Sequence, residues 1–258
     1  MTCNIEYQPK DPTVLFQGRV ENYVKYRPTY SPKLLEFLQT EYKLLPEQVI
    51  ADIGSGTGIL TELFLQNGNF VFAVEPNLEM RQAAEEHLAK YRNFTSVAAQ
   101  AEATTLPDQS IDMLTAGQSF HWFERNAARQ EFRRILKPGG WVVLIWNLAR
   151  TDTPFLQDYN RFWQTDLQGA RGSRQDNEDF TSFFAGAAQR VLLEGVHQDL
   201  DLAQFTGRVL SISMAPKADE TGYAQFVERV QALFEHHQHN GVVRLSYDTE
   251  VVIGKLTG

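Results

Sequence analysis

Val49-Ile50-Ala51-Asp52-Ile53-Gly54-Ser55-Gly56-Thr57-Gly58-Ile59-Leu60 is the stretch on which the reading of this chain turns. A short apolar run opens it, glycines follow at alternate positions, and apolar residues resume at Ile59, Leu60, Leu63 and Phe64. That order predicts a buried strand, a tight turn and a helix. Such a turn presents backbone N–H groups to an anionic or polar ligand, and glycine removes the Cβ that would block close approach.

The same rhythm continues outward. Upstream, Ser31-Pro32 starts a helix, the hydroxyl capping free N–H groups and the proline taking the first helical position, and this helix should stop before Pro46. Downstream, Phe70 to Val74, Thr95 to Ala98 and Ile111 to Ala116 are expected as strands, with helices over Leu78 to Tyr91 and Asn126 to Leu136. Lys137-Pro138-Gly139-Gly140 should end the last of these, and Trp141 to Trp146 reads as a strand buried on both faces. The pattern predicts an α/β fold: a Rossmann-like, doubly wound, mainly parallel seven-stranded sheet with helices on both faces. After Asn147 the alternation breaks. Residues 151–188 look helical and aromatic around a loop at 168–179, Val191 to Val196 could be a strand, 201–213 and 222–237 helices, and Val242 to Leu256 a bent strand or hairpin. The domain reading is a lead-in over 1–30, forming a lid, and a single domain over 31–258 whose 151–240 span holds a helical insertion forming a pocket after strand five.

Ligand chemistry for the glycine turn can be sorted by spacing. A phosphate-binding P-loop needs Gly-Lys-Ser/Thr, and Gly58 is followed by Ile59. A dinucleotide fingerprint needs glycines at its first, third and sixth positions, and the sixth from Gly54 is again Ile59. Asp52-Ile53-Gly54-Ser55-Gly56-Thr57-Gly58 instead resembles motif I of the class I S-adenosylmethionine-dependent methyltransferases. Glu75, directly after the second strand, matches that family's ribose-binding carboxylate, which accepts hydrogen bonds from ribose hydroxyls. Ala101-Glu102 with Leu106-Pro107 resembles the adenine-holding segment after strand three, and Leu136 to Gly140 the turn before strand five. The resemblance covers about 50–147. It implies S-adenosylmethionine as cofactor, S-adenosylhomocysteine as product, and cofactor contacts from Asp52, Gly54, Ser55, Gly56, Thr57, Gly58, Glu75, Pro76, Met80, Ala101, Glu102, Ala103 and Gln118.

A narrower resemblance lies at the amino end. Phe16, Tyr23, Arg27-Pro28 and Tyr30, followed by the capped helix, look like the lead-in of a type 11 subgroup related to trans-aconitate methyltransferase. It implies that Tyr23 and Arg27 lie over the cofactor, the arginine near the methionyl carboxylate, where a planar guanidinium forms paired hydrogen bonds. Gln118-Ser119-Phe120-His121-Trp122-Phe123 matches the same subgroup after strand four, and the Asn/Asp-Pro-Pro-Tyr/Phe sequence typical of amide-nitrogen methylation does not occur at this point. His121, Trp122 and Trp146 are therefore expected at the substrate pocket, with His121 the first base to test if the acceptor is a hydroxyl or amine. Arg161, Arg171, Arg174 and Arg208 could each bind a substrate carboxylate, and the sequence does not rank them. Three activities stay open: O-methylation of a small molecule at a carboxylate or hydroxyl, methylation of protein or RNA, and cofactor binding without turnover.

Composition narrows the partners. The 258 residues carry 24 basic against 32 acidic side chains, a net charge of −8, which argues against a nucleic-acid partner. The longest strongly apolar run, Trp141 to Trp146, is far shorter than the roughly 20 residues that span a bilayer. The polar start Met1-Thr2-Cys3-Asn4 does not resemble a signal peptide, and the single cysteine fits a reducing compartment, so a cytoplasmic location is expected. No metal is expected: His236, His237 and His239 end a helix, where imidazoles suit the dipole, and no matching ligand cluster accompanies them in the sequence. Monomer and homodimer are both compatible.

Overall fold

Apolar strands and capped helices assemble into a seven-stranded sheet of order β3-β2-β1-β4-β5-β7-β6. The computed structural model describes residues 20–166, 180–185 and 188–256. In chain order these hold α1 (Val20–Tyr26), α2 (Pro32–Tyr42), β1 (Val49–Ile53), α3 (Ile59–Gln66), β2 (Phe70–Val74), α4 (Leu78–Leu88), β3 (Phe94–Val97) and β4 (Ile111–Gly117). A 3-10 turn (Phe120–Trp122) leads to α5 (Arg125–Ile135), β5 (Leu136–Ala149), α6 (Pro154–Asp166) and α7 (Thr181–Phe184). Then come β6 (Ala188–Leu200), α8 (Leu202–Leu210), α9 (Tyr223–His237) and β7 (Val243–Gly254).

Strands β1 to β5 run parallel, and β7 is antiparallel to both β5 and β6. Between β1 and β4 the direction of winding reverses. In open α/β sheets the crevice outside the carboxyl ends of the strands at such a point receives the ligand. Helices α2, α3 and α4 cover one face through Leu34, Leu38, Leu60, Phe64 and Leu88. Helices α5 and α7 cover the other through Ala128, Phe132, Ile135, Phe183 and Phe184. Ser31 caps α2 as expected, accepting from the Lys33 N–H at 3.3 Å while donating to the Glu194 carbonyl at 2.7 Å. Its hydroxyl thereby ties the helix start to β6, at the far edge of the sheet.

Several sequence-based boundaries move. Helix α4 ends at Leu88, three residues short of Tyr91. The Lys-Pro-Gly-Gly turn ends α5 but sits inside the 14-residue β5 as a bulge, where pairing slips between Ile111 and Met113. The segment 242–256 forms one strand, not a hairpin, because β7 is wedged between β5 and β6 and both its edges are paired. The span 151–240, expected as a helical insertion, also supplies β6, 13 residues long, to the sheet. A break in the β6 register between Glu194 and His197 contains Gly195, where a Cβ would lie 2.1 Å from the Tyr247 carbonyl oxygen.

The part of this region beyond the main sheet has its own apolar core. Phe155, Tyr159, Phe162, Phe205, Phe226, Phe234 and Tyr247 pack there, contributed by α6, α8, α9 and the start of β7. Helix α8 is closed at its start by a reciprocal pair of side-chain bonds: Asp201 accepts from the Gln204 N–H, and Gln204 accepts from the Asp201 N–H. Phe16, Arg171, Arg174 and the loop expected at 168–179 lie outside the described residues.

Candidate functional site

The glycine turn is held open by its neighbours. Gly54 and Ser55 donate their N–H groups to the Val74 carbonyl at 2.8 and 3.1 Å, which pins the turn across the ends of β1 and β2. Gly54 has φ +65, and a Cβ there would come within 2.6 Å of the Ser119 Cβ, so both its backbone and its surroundings require glycine. Gly56, at φ +57, faces open space. The next glycine serves a different purpose: a Cβ on Gly58 would lie 2.6 Å from Leu88, so the residue lets α3 and α4 pack and borders neither cavity described below.

Glu75 ends β2 with its carboxylate buried. One oxygen accepts from the Gly56 N–H at 2.9 Å and the other from the Asn77 N–H at 2.8 Å. Burial raises its pKa, while those two N–H groups and Arg81 oppose the rise. Each oxygen keeps a second lone pair, so the carboxylate can organise the turn and still accept from a vicinal diol.

Asp52 is wholly buried beneath the turn. Its oxygens accept from Thr61 Oγ1 at 2.7 Å and Thr115 Oγ1 at 3.0 Å, joining β1 to α3 and β4. Burial raises its pKa to about 7, against the two threonine hydrogen bonds. The folded carboxyl therefore holds a proton between about pH 4, its unfolded value, and pH 7, so stability is full below that window and declines as pH rises through it. The decline is on the order of 4 kcal/mol. Asp52→Asn should flatten it: unfolding free energies from urea titrations at pH 5 and pH 8 should converge in the variant, and an undiminished difference would assign the pH dependence to another group.

Two connected spaces open above these residues. The larger, about 410 Å³, is lined by Tyr23, Gly54, Gly56, Glu75, Pro76, Met80, Gln100, Ala101, Glu102, Gly117, Gln118, Ser119, Trp122, Phe123 and Glu124. The smaller, about 40 Å³, runs past Tyr23, Arg27, Tyr30, Asp52, Ser55, Thr57, Gln118 and Asn147. Tyr23, Gly54, Gly117 and Gln118 border both, so the two meet at the end of β4. Gln118 is held there at φ +59, a conformation that costs a non-glycine residue energy. Its N–H donates to the Ile145 carbonyl and its Nε2 to the Asn147 carbonyl, which fixes the side chain across the junction.

The residues present suit an adenosyl amino acid. Ser55 Oγ and Thr57 Oγ1 are buried and have no hydrogen-bond partner among the described residues, and both border the smaller space. A ligand with amino and carboxylate groups satisfies such hydroxyls. The larger space offers the Glu75 carboxylate to a diol and an apolar wall of Met80, Ala101, Trp122 and Phe123 to a flat ring.

Not every expected residue reaches these spaces. Ala103 is exposed and Leu106 is buried in the core, away from both. Trp146 is 2% exposed and packs on Phe120 and Phe180 in the core, not on a pocket. His121 sits in the 3-10 turn against Trp122 and lines neither space. Burial lowers its pKa to about 4, which makes it a weak base, and its Nδ1 has no partner among the described residues. Ser119 and Phe123, from the motif after β4, and Tyr30, from the lead-in, line these spaces, and Gln100, Gly117 and Glu124 join them unannounced. The sequence marked Gly117 only as a glycine at the end of an apolar strand; in the structure a Cβ there would lie 2.4 Å from the Tyr30 hydroxyl. Nor did the sequence foresee that Asp158 stands beside His236 and His237, all three ligand atoms within 4.8 Å of one another; His239 is not part of the group. Asp158 is engaged there by His237 at 2.9 Å and Arg161 at 2.6 Å.

Comparison with known proteins agrees with this geometry. Residues 51–144 match the family described as methyltransferase domain. An uncharacterized methyltransferase of Schizosaccharomyces pombe is 32% identical over 143 residues, 55% of this chain and 56% of the relative. One of Mycobacterium bovis is 32% identical over 149 residues, 57% of this chain and 56% of the relative. The chain thus spans little more than half the length of these curated relatives. In fold it is similar to a candidate Type II methyltransferase of Anaeromyxobacter dehalogenans, with TM-score 0.65 and 21% identity over 90% of this chain and 98% of the other. Nothing in these matches singles out the trans-aconitate subgroup. No helix among the described residues is long and apolar enough to cross a membrane. The glycine turn at the switch point and the carboxylate at the end of β2 both fall within residues 51–144, the segment that matches the methyltransferase domain family.

Proposed function

We propose that this protein transfers a methyl group to a small-molecule acceptor, at a carboxylate or hydroxyl oxygen. The observation that carries the reading is the form of the junction. The larger space is bounded by α1 through Tyr23 and by the 3-10 turn through Trp122, and at Gly117 and Gln118 it adjoins the smaller space of only about 40 Å³. That shape suits a small acceptor held beside a bound cofactor better than a polypeptide or a folded RNA, and the acidic balance of the chain agrees.

When bound, the cofactor supplies an activated methyl group on a sulfonium. The protein's task is then to bind, orient and exclude water. Glu75, itself held by the Gly56 N–H, would take one end, and Ser55, Thr57 and Arg27 the other. Tyr23 and Gln118 shape the passage between them. A carboxylate acceptor needs no proton removed, so a neutral His121 outside the lining is no obstacle to it.

Calorimetric titration with S-adenosylmethionine and with a nicotinamide dinucleotide, followed by assay of methyl transfer to a panel of carboxylic acids, phenols and amines, tests the reading. Binding of the first ligand alone and turnover on an acid or a phenol are expected. No affinity for S-adenosylmethionine would overturn it, and affinity without turnover on any acceptor would favour a binding protein.

A further inference from the structure

We propose that Arg27 and Arg208 form a carboxylate-binding pair behind the smaller space, with Arg208 an anion-binding residue of the site. The proposal rests on the methyltransferase reading above and adds a residue that the sequence could not rank among its arginines.

Arg27 follows α1 and borders the smaller space. Its guanidinium lies over the Tyr23 ring, 4.6 Å from the centre, and its Nη2 donates to the Ser211 carbonyl at 3.0 Å. Arg208 comes from α8, three residues before Ser211, and is only 5% exposed. It lies over the Tyr247 ring at 5.8 Å. The two guanidiniums are near enough to act on each other: burial first, and then the like charge of Arg208, bring the Arg27 pKa down, although Tyr23 opposes them. Against burial, the Tyr247 and Tyr159 phenols hold the Arg208 pKa up.

What is unusual is how little compensates these charges. Neither guanidinium meets a carboxylate among the described residues. Arg27 Nε, Arg208 Nε and Arg208 Nη1 are buried with no hydrogen-bond partner among them. Packing accounts for burying an arginine stem, but leaving charged N–H donors unpaired is costly, and a second like charge within electrostatic reach adds to the cost. A protein of net charge −8 has many acids with which to neutralise such a pair. Planar guanidiniums with free N–H donors match the geometry of a carboxylate, which removes both costs at once. Arg208 borders neither space itself, so a carboxylate would meet it past Arg27; two are candidates, the amino-acid end of the cofactor and an acid group on the acceptor.

Arg208→Met keeps an unbranched apolar stem and removes the charged guanidinium. The variant and the wild type are titrated with S-adenosylhomocysteine, with methylthioadenosine, which lacks the amino-acid end, and with citrate and succinate. Thermal midpoints are measured without ligand. The expected result is a loss of about tenfold or more for a carboxylate ligand, with methylthioadenosine unchanged within about twofold and the ligand-free midpoint no lower than wild type. A loss confined to S-adenosylhomocysteine assigns the pair to the cofactor; a loss confined to citrate or succinate assigns it to the acceptor. Unchanged affinity for every carboxylate overturns the proposal, as does a lower midpoint with parallel weakening of all ligands, the mark of a structural role. Should the methionine variant not fold, Arg208→Lys retains the charge without the planar fork. It should weaken the same ligand by about threefold or more, and equal affinity overturns the pair. Wild-type protein that binds neither nucleoside defeats the methyltransferase reading instead, and the citrate and succinate arm then decides the pair alone.

Discussion

Glu75→Ala is expected to weaken S-adenosylhomocysteine binding by roughly 1 to 3 kcal/mol, or about 5- to 150-fold. Two effects act together. The diol loses its acceptor, and the Gly56 and Asn77 N–H groups lose the oxygens that hold them at 2.9 and 2.8 Å. Because Gly56 lies in the middle of the turn, its freed N–H loosens the surface that faces the ligand, so the binding loss should come with a lower thermal midpoint. Glu75→Gln separates the two: an amide keeps one acceptor oxygen but turns its NH2 toward one of the backbone donors. It should therefore bind better than the alanine variant and still worse than wild type. Calorimetry reads both, and an unchanged Kd in Glu75→Ala would remove this residue from the site.

Gly54→Ala should destabilise the fold by roughly 2 to 4 kcal/mol, combining about 1 kcal/mol for an L-residue at positive φ with about 1 to 3 kcal/mol of overpacking. The added methyl meets Ser119 at 2.6 Å, and Ser119 cannot retreat without giving up its 2.7 Å hydrogen bond to the Ile53 carbonyl. Gly56→Ala provides the contrast. It adds the same methyl at a similar φ where no atom lies within 4 Å, so its stability cost should stay near 1 kcal/mol while its effect falls on cofactor affinity. Urea unfolding of the two variants checks the difference. Equal stability losses would mean that Ser119 yields, and that contact across the β1–β4 switch point is not what demands glycine at position 54.

These two positions show why so much of the lining of the larger space was readable. Glu75 and the glycine turn act through groups only a few residues from the strand ends that carry them, and strand ends announce themselves by composition. The turn chemistry at Gly54 and Gly56, the cap at Ser31 and the alternation from Val49 to Trp146 are likewise local, so spacing alone conveys them. Gly58 matched its motif as well as its neighbours did, yet it serves helix packing against Leu88. A motif states which residue type fits a turn, not which atom the turn faces.

The acceptor side was less legible for a related reason. Trp146 is aromatic, sits on a strand that ends near the crevice and was expected at a pocket; alternation along β5 instead points it into the core beneath Phe180. His121 lies one residue from a cavity-lining tryptophan, and the single 3-10 turn decides that Trp122 and not His121 faces the space. By itself the sequence determined the order of strands and helices, the turn and the carboxylate at the end of β2, because each depends on residues close along the chain. Only the tertiary structure decided that β7 enters between β5 and β6, that Asp158 meets two histidines, and that Arg27 reaches Ser211, 184 residues away, beside Arg208. Those pairings depend on which buried surfaces close on one another, and neither periodicity nor turn chemistry carries that information.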